Sequence, residues 1–287
     1  MAAIWKTEAG GEAVRARYAQ FLQHWPTANA QLRLPTAQGE TFVIASGPQG
    51  APAVLLLHGG AANSASWMGD VATLARSFRV YAVDMIGEPG FSAPSRPPLA
   101  SEAYALWLDE VLAGLDIDRA ALVGISLGGW LALDYATRRP QRVSALALLC
   151  PGGVGRQRNV LLWAAPLMLL GAWGRRIVMR RLGARAISDG ASPAIKAFAG
   201  FMDLIQANFR PRTRALPRFA DEALRRLTMP VLAIQGGKDA MLDSAGTRRR
   251  LAANVPHAEI RWLPDDGHFL FGHAETMDAF LRQALPS

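Results

Sequence analysis

The sequence predicts an α/β fold, a mostly parallel central sheet flanked by helices, and three observations carry that prediction. Short apolar runs alternate with longer amphipathic stretches along most of the chain, the pattern of a parallel sheet covered on both faces. The alternation stops between Pro151 and Thr228, where no strand candidate occurs and Arg, Leu, Ala, Trp and Met dominate. The length, 287 residues of which 51% are hydrophobic, suits one large domain carrying an insertion, or two small domains.

Val14 to Trp25 reads as a short amphipathic helix, ended by Pro26. Leu32 to Pro35 and Thr41 to Ala45 read as an antiparallel pair joined by a turn around Gln38-Gly39. The strands expected after it are Val54–Leu57, Val80–Val83, Ala121–Gly124, Ala145–Leu149, Val231–Gln235 and Glu259–Leu263. Helices are expected at Ser66–Arg76, Ser101–Leu115, Leu127–Arg138 and Ser244–Ala253, and a last one from Ala274 to Leu285. Their apolar residues recur at three- and four-residue intervals, as one face packed on a sheet requires. Within the break, the uncharged run Val160 to Gly174 invites a membrane-spanning reading. A span needs about 20 residues, and Pro166 interrupts this one. An apolar helix lining an entrance is the preferred reading over an interfacial membrane helix.

Charge is unevenly spread. Residues 152–228 hold 14 of the 31 lysines and arginines but only 4 of the 23 acidic residues. Such a segment could attract anionic substrates or a membrane surface, but a solvated helix face is the simpler reading. No nucleic-acid-binding motif accompanies the arginines, so no nucleic-acid partner is expected. The one cysteine, Cys150, excludes an internal disulfide and a cysteine-based zinc site. Its place at the end of an apolar strand suggests a buried structural thiol. The first residues, Met-Ala-Ala-Ile-Trp-Lys-Thr-Glu, show no basic stretch leading into an apolar one, so no secretory signal is expected and a cytoplasmic location follows by default.

The sharpest local signal is Gly124-Ile125-Ser126-Leu127-Gly128, a G-x-S-x-G pattern lying between a predicted strand and a predicted helix. A serine at such a turn is held in a strained backbone with its hydroxyl above the sheet. Flanking glycines are needed because a Cβ there would strike the neighbouring strand or helix. Four further segments join it: Val54 to Gly60 with its His58-Gly59-Gly60 end, Asp84 to Ser92, Gly236-Gly237-Lys238-Asp239, and Asp266-Gly267-His268-Phe269. With these the chain resembles the α/β-hydrolase superfamily over roughly residues 35 to 285, closest to its helical-capped serine carboxylesterases. The Asp84 to Ser92 segment is one residue longer than that family's D-x-x-G-x-G-x-S loop. The order Ser126, Asp239, His268 is the Ser–acid–His order of this fold.

The resemblance implies a core of residues 1–151 and 229–287, with a helical cap, residues 152–228, inserted after the sixth strand. It implies Ser126 as nucleophile, His268 as general base and Asp239 as the acid that orients the imidazole. The oxyanion would take backbone N–H groups from Leu127, at a helix start, and from Gly60, with Ala61 as runner-up. No metal and no cofactor are required. His273 is the nearest competitor to His268, while His58 is read as structural and His24 and His257 lie outside any family loop. Asp243 and the Asp265-Asp266 pair compete with Asp239. Trp67, Trp130, Trp163, Trp173, Met168 and Met202 could line an acyl pocket, though ordinary core is the commoner fate of such residues. Glu88, in the lengthened loop, could face the active-site mouth, but an exposed turn carboxylate is the simpler reading.

The expected function is hydrolysis of a small-molecule carboxylic ester, with an apolar acyl or alcohol part, through an acyl-enzyme. Thioesterase, lactonase, C–C bond hydrolase and cofactor-free perhydrolase chemistry can run on the same triad. Two rivals stand apart: a ligand receptor that keeps the hydrolase fold for sensing, and a membrane-associated lipase-like protein docking through its basic cap. The natural substrate and the oligomeric state stay open at this point.

Overall fold

The computed structural model describes residues 4–171, 173–174, 177–178 and 193–285. An opening helix α1 (Glu8–Leu22) precedes strands β1 (Asn29–Leu34), β2 (Thr41–Ser46) and β3 (Ala53–Leu57). The chain continues through α2 (Val71–Leu74), β4 (Arg79–Val83), α3 (Ala103–Gly114), β5 (Ala120–Ile125), α4 (Leu127–Arg138) and β6 (Val143–Leu149). Helices α5 (Val160–Met168), α6 (Pro193–Asn208) and α7 (Asp221–Leu224) follow, then β7 (Val231–Gly236), α8 (Ser244–Asn254), β8 (Glu259–Leu263) and α9 (Ala274–Ala284).

The eight strands form one sheet in the order β1-β2-β4-β3-β5-β6-β7-β8. Strand β2 runs antiparallel to both β1 and β4, and every later pairing is parallel. The predicted fold class is the observed one.

Period-two alternation sends successive side chains to opposite faces, and both faces are dry. Val43, Leu55, Leu57, Val83 and Leu122 pack on one side with Trp107 of α3 and Leu131 of α4. Phe42, Leu56, Val80, Val123 and Ile234 pack on the other with Tyr18 of α1 and Met277 and Leu281 of α9. Each fully buried side chain of this size is worth about 1.5–3 kcal/mol, so the sheet is a rigid platform for whatever its strand ends carry.

Two helix boundaries differ from expectation. The first helix begins at Glu8, where Thr7 caps it by accepting the Gly10 N–H, and it stops at Leu22. Gly10 and Gly11 had hidden that start, because glycine opposes helix formation by propensity. The helix expected over Ser66–Arg76 is instead a 3₁₀ turn, Ser64–Trp67, followed by the single turn α2. Asn63 starts that turn by accepting the Ala65 N–H, and Gly69-Asp70 separates the two pieces.

Between β6 and β7 the described residues hold helices and two isolated β-bridges, Gln157 with Leu242 and Trp5 with Phe209. Helix α6 lies against α1, with Phe201 stacked on Phe21 at 5.0 Å and near Tyr18 at 6.2 Å. Backbone bonds join the same two regions: Lys6 N–H donates to Asn208 O at 2.8 Å, and Arg210 N–H donates to Ile4 O at 2.8 Å. Met168, Leu169, Leu170 and Trp173 are exposed. Among the described residues no helix is long and apolar enough to cross a membrane.

Candidate active site

Strand β5 ends in Ile125, and Ser126 turns the chain into α4 with φ +53° and ψ −106°. A non-glycine residue in such a region costs roughly 1–3 kcal/mol and persists only where its surroundings over-determine it. Here the Ser126 N–H donates to Leu149 O at 3.0 Å, and the Ser126 carbonyl accepts from Trp130 at 2.9 Å and Gly152 at 3.1 Å. The flanking glycines are sterically obligatory. A Cβ on Gly124 would stand 2.5 Å from Gly128 O, and one on Gly128 would stand 2.1 Å from Leu57 O.

Asp239 follows β7 and His268 follows β8. Their loops are tied together by Gly237 N–H donating to Leu263 O at 2.7 Å and Lys238 N–H donating to Asp266 O at 2.8 Å. Asp239 is thereby brought to 2.8 Å, through Oδ2, from His268 Nδ1, and His268 Nε2 lies 3.0 Å from Ser126 Oγ. The other carboxylate oxygen, Oδ1, accepts the N–H groups of Met241 at 2.7 Å and Leu242 at 2.9 Å. Burial favours the neutral acid. The His268 hydrogen bond and charge, with the two backbone donors, outweigh it and hold the Asp239 carboxyl below the usual carboxylate range. Both Asp239 and His268 are buried.

Of the competing acids, Asp243 and Asp265 have other partners. Asp243 caps α8 by accepting the Gly246 N–H at 2.9 Å. Asp265 pairs with Lys238 at the surface. His273 stands at the start of α9. His58 is fully buried, accepting the Met85 N–H through Nε2 at 2.9 Å, so its Nδ1, 2.8 Å from Gly59 O, carries the proton. Burial pulls its pKa down, which keeps the ring neutral.

Of the two peptide groups expected to face an oxyanion, Leu127 opens α4, where its N–H has no intrahelical acceptor. Gly60 lies beside the Leu127 side chain, since a Cβ built there would stand 3.5 Å from Leu127 Cδ2. The runner-up, Ala61, has its N–H engaged by Glu88 Oε2 at 2.7 Å. Glu88 corrects the expectation of an exposed turn carboxylate: it is 1% exposed, and Oε1 accepts from Arg212 Nε at 3.0 Å. The extra residue in the Asp84–Ser92 loop gave the one hint of an unusual path there. Nothing in the sequence linked Glu88 to Arg212.

Trp67 and Trp130 are core residues, Met202 packs against the core, and the Trp163 side chain lies outside the described residues. A cleft of about 10 Å³ beside Leu127 is lined by Met85, Ile86, Leu99, Tyr104, Trp130 and Leu131, with Glu88 and Arg212. It has room for little more than a water. A larger depression of about 630 Å³ lies along the N-terminal segment, near Trp5, Phe91 and Arg210, and touches none of Ser126, Asp239 or His268. Among the described residues, Cys150, Asp239 and His268 place ligand-type atoms within 4.8 Å of one another. Burial first, and then the Asp239 charge, raise the Cys150 thiol far above its ordinary range.

A strained serine turn after the fifth strand, a buried aspartate after the seventh and a buried histidine after the eighth thus stand within hydrogen-bond reach of one another. The chain belongs to the alpha/beta hydrolase family, which matches residues 54–283. Within it, the chain is a carboxylesterase-like member. It is 31% identical over 258 residues to carboxylesterase YbfK of Bacillus subtilis, covering 88% of this chain and 86% of that one. The crystal structure of that enzyme superposes with a TM-score of 0.80, covering 97% of this chain and 99% of its own at 27% identity. Naproxen esterase from Bacillus subtilis matches with the same TM-score and coverage at 26% identity. The 2-hydroxymuconate semialdehyde hydrolase of a Pseudomonas species is 30% identical over 236 residues, covering 75% of this chain and 80% of that one.

Proposed function

We propose that this protein is a serine hydrolase that cleaves a carboxylic ester through an acyl-enzyme. The observation that carries the reading is the continuous relay from Ser126 Oγ through His268 to Asp239, at 3.0 and 2.8 Å. Asp239 accepts a hydrogen bond from His268 Nδ1–H, which leaves the Nε2 lone pair aimed at the serine hydroxyl. His268 takes the Ser126 proton as Oγ attacks the ester carbonyl, and then gives it to the leaving alcohol oxygen as the tetrahedral intermediate collapses. Water enters, the same histidine activates it, and the acid is released. The developing oxyanion is held by the Gly60 and Leu127 N–H groups, the latter at the positive end of a helix.

Residues 152–228 act as the cap over this site, and the substrate is a small ester with an apolar acyl or alcohol part. The carboxylesterase relatives support an ester over the thioester, lactone or C–C bond substrates that the same relay could process. The fold by itself does not choose among them. The test is steady-state hydrolysis of p-nitrophenyl esters from acetate to laurate, with Ser126→Ala as the blank. Multiple turnover that disappears in a folded Ser126→Ala protein is the expected result. Turnover surviving that substitution would overturn the mechanism, and no serine-dependent turnover on any ester would move the reading to the other bond classes or to a receptor.

A further inference from the structure

We infer that Glu88 is a positioning residue for the oxyanion loop, and that Arg212 ties it to the chain returning from the cap. The inference rests on the reading of the Gly60 N–H as an oxyanion donor. Among the described residues, Gly60, Ala61 and Ala62 make one hydrogen bond to the rest of the protein, from Ala61 N–H to Glu88 Oε2. Both flanks are pinned independently. His58 is fixed by Met85, Asn63 Nδ2 donates to Pro89 O at 2.9 Å, and the Ser64 N–H and hydroxyl both donate to Asp84 Oδ1. The stretch that carries the proposed donor therefore depends on one carboxylate.

What that carboxylate holds is a conformational choice. Ala61 has φ +54°, the left-handed region that alanine ordinarily avoids. Relaxing it to negative φ would swing the peptide plane between residues 60 and 61 and turn the Ala61 N–H away from Glu88. The Gly60 N–H sits on the neighbouring plane, one Cα away. Among the described residues no hydrogen bond holds Gly60 itself to the rest of the protein, so losing the Ala61 anchor frees the Gly60 N–H to drift. A buried carboxylate accepting a backbone N–H makes a charge-assisted bond, stronger than a neutral acceptor would give.

The carboxylate is itself held by the chain beyond α6. Arg212 Nε donates to Glu88 Oε1 at 3.0 Å, its Nη2 donates to the Tyr104 hydroxyl on α3, and its side chain is 16% exposed. A second tie runs alongside: Arg96 Nε donates to Gly87 O at 2.8 Å, and its Nη2 donates to Arg210 O at 2.8 Å. The loop that aims the oxyanion peptide and the chain leaving the cap are thus bolted together twice.

The test compares Glu88→Gln, Arg212→Gln and the double variant Glu88→Met, Arg212→Met with the wild type. Removing both charges of a buried pair is commonly neutral for stability, so the double variant isolates the missing acceptor. Each is measured for kcat and KM on p-nitrophenyl esters and for affinity toward a trifluoromethyl ketone, which forms a tetrahedral adduct on serine. Outright loss of one oxyanion donor costs roughly 100- to 1,000-fold in kcat; a displaced donor should cost less. The double variant is expected to lose roughly 10- to 100-fold in kcat and a similar factor in ketone affinity, with KM within about twofold. Glu88→Gln, which keeps an oxygen for the Ala61 N–H, should recover most of both, and Arg212→Gln should fall between. A folded double variant with kcat within about twofold of wild type overturns the inference, as does a change confined to KM. Turnover that depends on Ser126 yet ignores all Glu88 and Arg212 variants removes this inference and leaves the reading beneath it. Absence of Ser126-dependent turnover in the wild type removes both.

Discussion

Asp239 shows how much of the site is set by single hydrogen bonds. Its two oxygens divide the work, Oδ2 on His268 and Oδ1 on the Met241 and Leu242 N–H groups. An asparagine there keeps the backbone acceptor but offers the imidazole the wrong partner, so Asp239→Asn should reduce kcat roughly 10,000-fold. Far-ultraviolet circular dichroism should be unchanged, and an active variant would show that another acid serves His268. At this scale the sequence was most legible where the physics is contiguous. Gly124, Ser126 and Gly128 announce the elbow because the steric need falls within five residues. Asp239 and His268 were named through the loops that resemble the family's, as was Gly60 ahead of Ala61, and it is the Ala61 N–H that Glu88 engages. Glu88 and Arg212 are far apart in the chain, and no spacing rule connects an isolated carboxylate to an isolated guanidinium.

Among the elements, strands β2 to β8 were read within one or two residues because a sheet with two dry faces imposes short continuous apolar runs. Strand β1, an edge strand with mostly exposed residues, instead starts three residues before the expected Leu32. Helices were legible where packing on the sheet decides them, as in α3, α4 and α9, and less so where caps and glycines do, as at α1 and α2. Helix α2 also carries an unusual acid. Asp70 stands at its start with no side-chain capping bond, and burial raises its carboxyl to about 6. A carboxyl whose folded pKa exceeds its unfolded value stabilises the fold below the unfolded pKa and loses that contribution as pH rises through 6. At pH 8 its charge is therefore a burden. Asp70→Asn should stabilise the protein by about 1–2 kcal/mol at pH 8 and by nearly nothing at pH 4. Urea unfolding at the two pH values checks this, and an equal gain at both would rule the explanation out.

For the whole molecule, His58 makes stability depend on pH in a separate window. Burial lowers its pKa, opposed only in part by Asp84, the Gly59 carbonyl and Glu88. The unfolded chain takes up a proton near pH 6.5 while the native ring stays neutral. The unfolded state then binds more protons, and stability falls as pH drops below that value, at up to about 1.4 kcal/mol per pH unit. His58→Gln should flatten the fall between pH 6.5 and 5 in urea titrations, and an unchanged slope would assign it to other groups. Asp239, held low by its partners, contributes only in stronger acid, where its charge is lost as pH falls through its folded pKa. The contact between the first residues and the end of α6 has a consequence of another kind. Ile4, Trp5, Lys6 and α1 lie against Phe201, Phe209 and Arg210, some two hundred residues on. Recombination between relatives that exchanged the insertion alone would tear this seam, leaving two apolar surfaces without their counterparts. The opening segment and the insertion are distant in the gene yet form a single unit of inheritance.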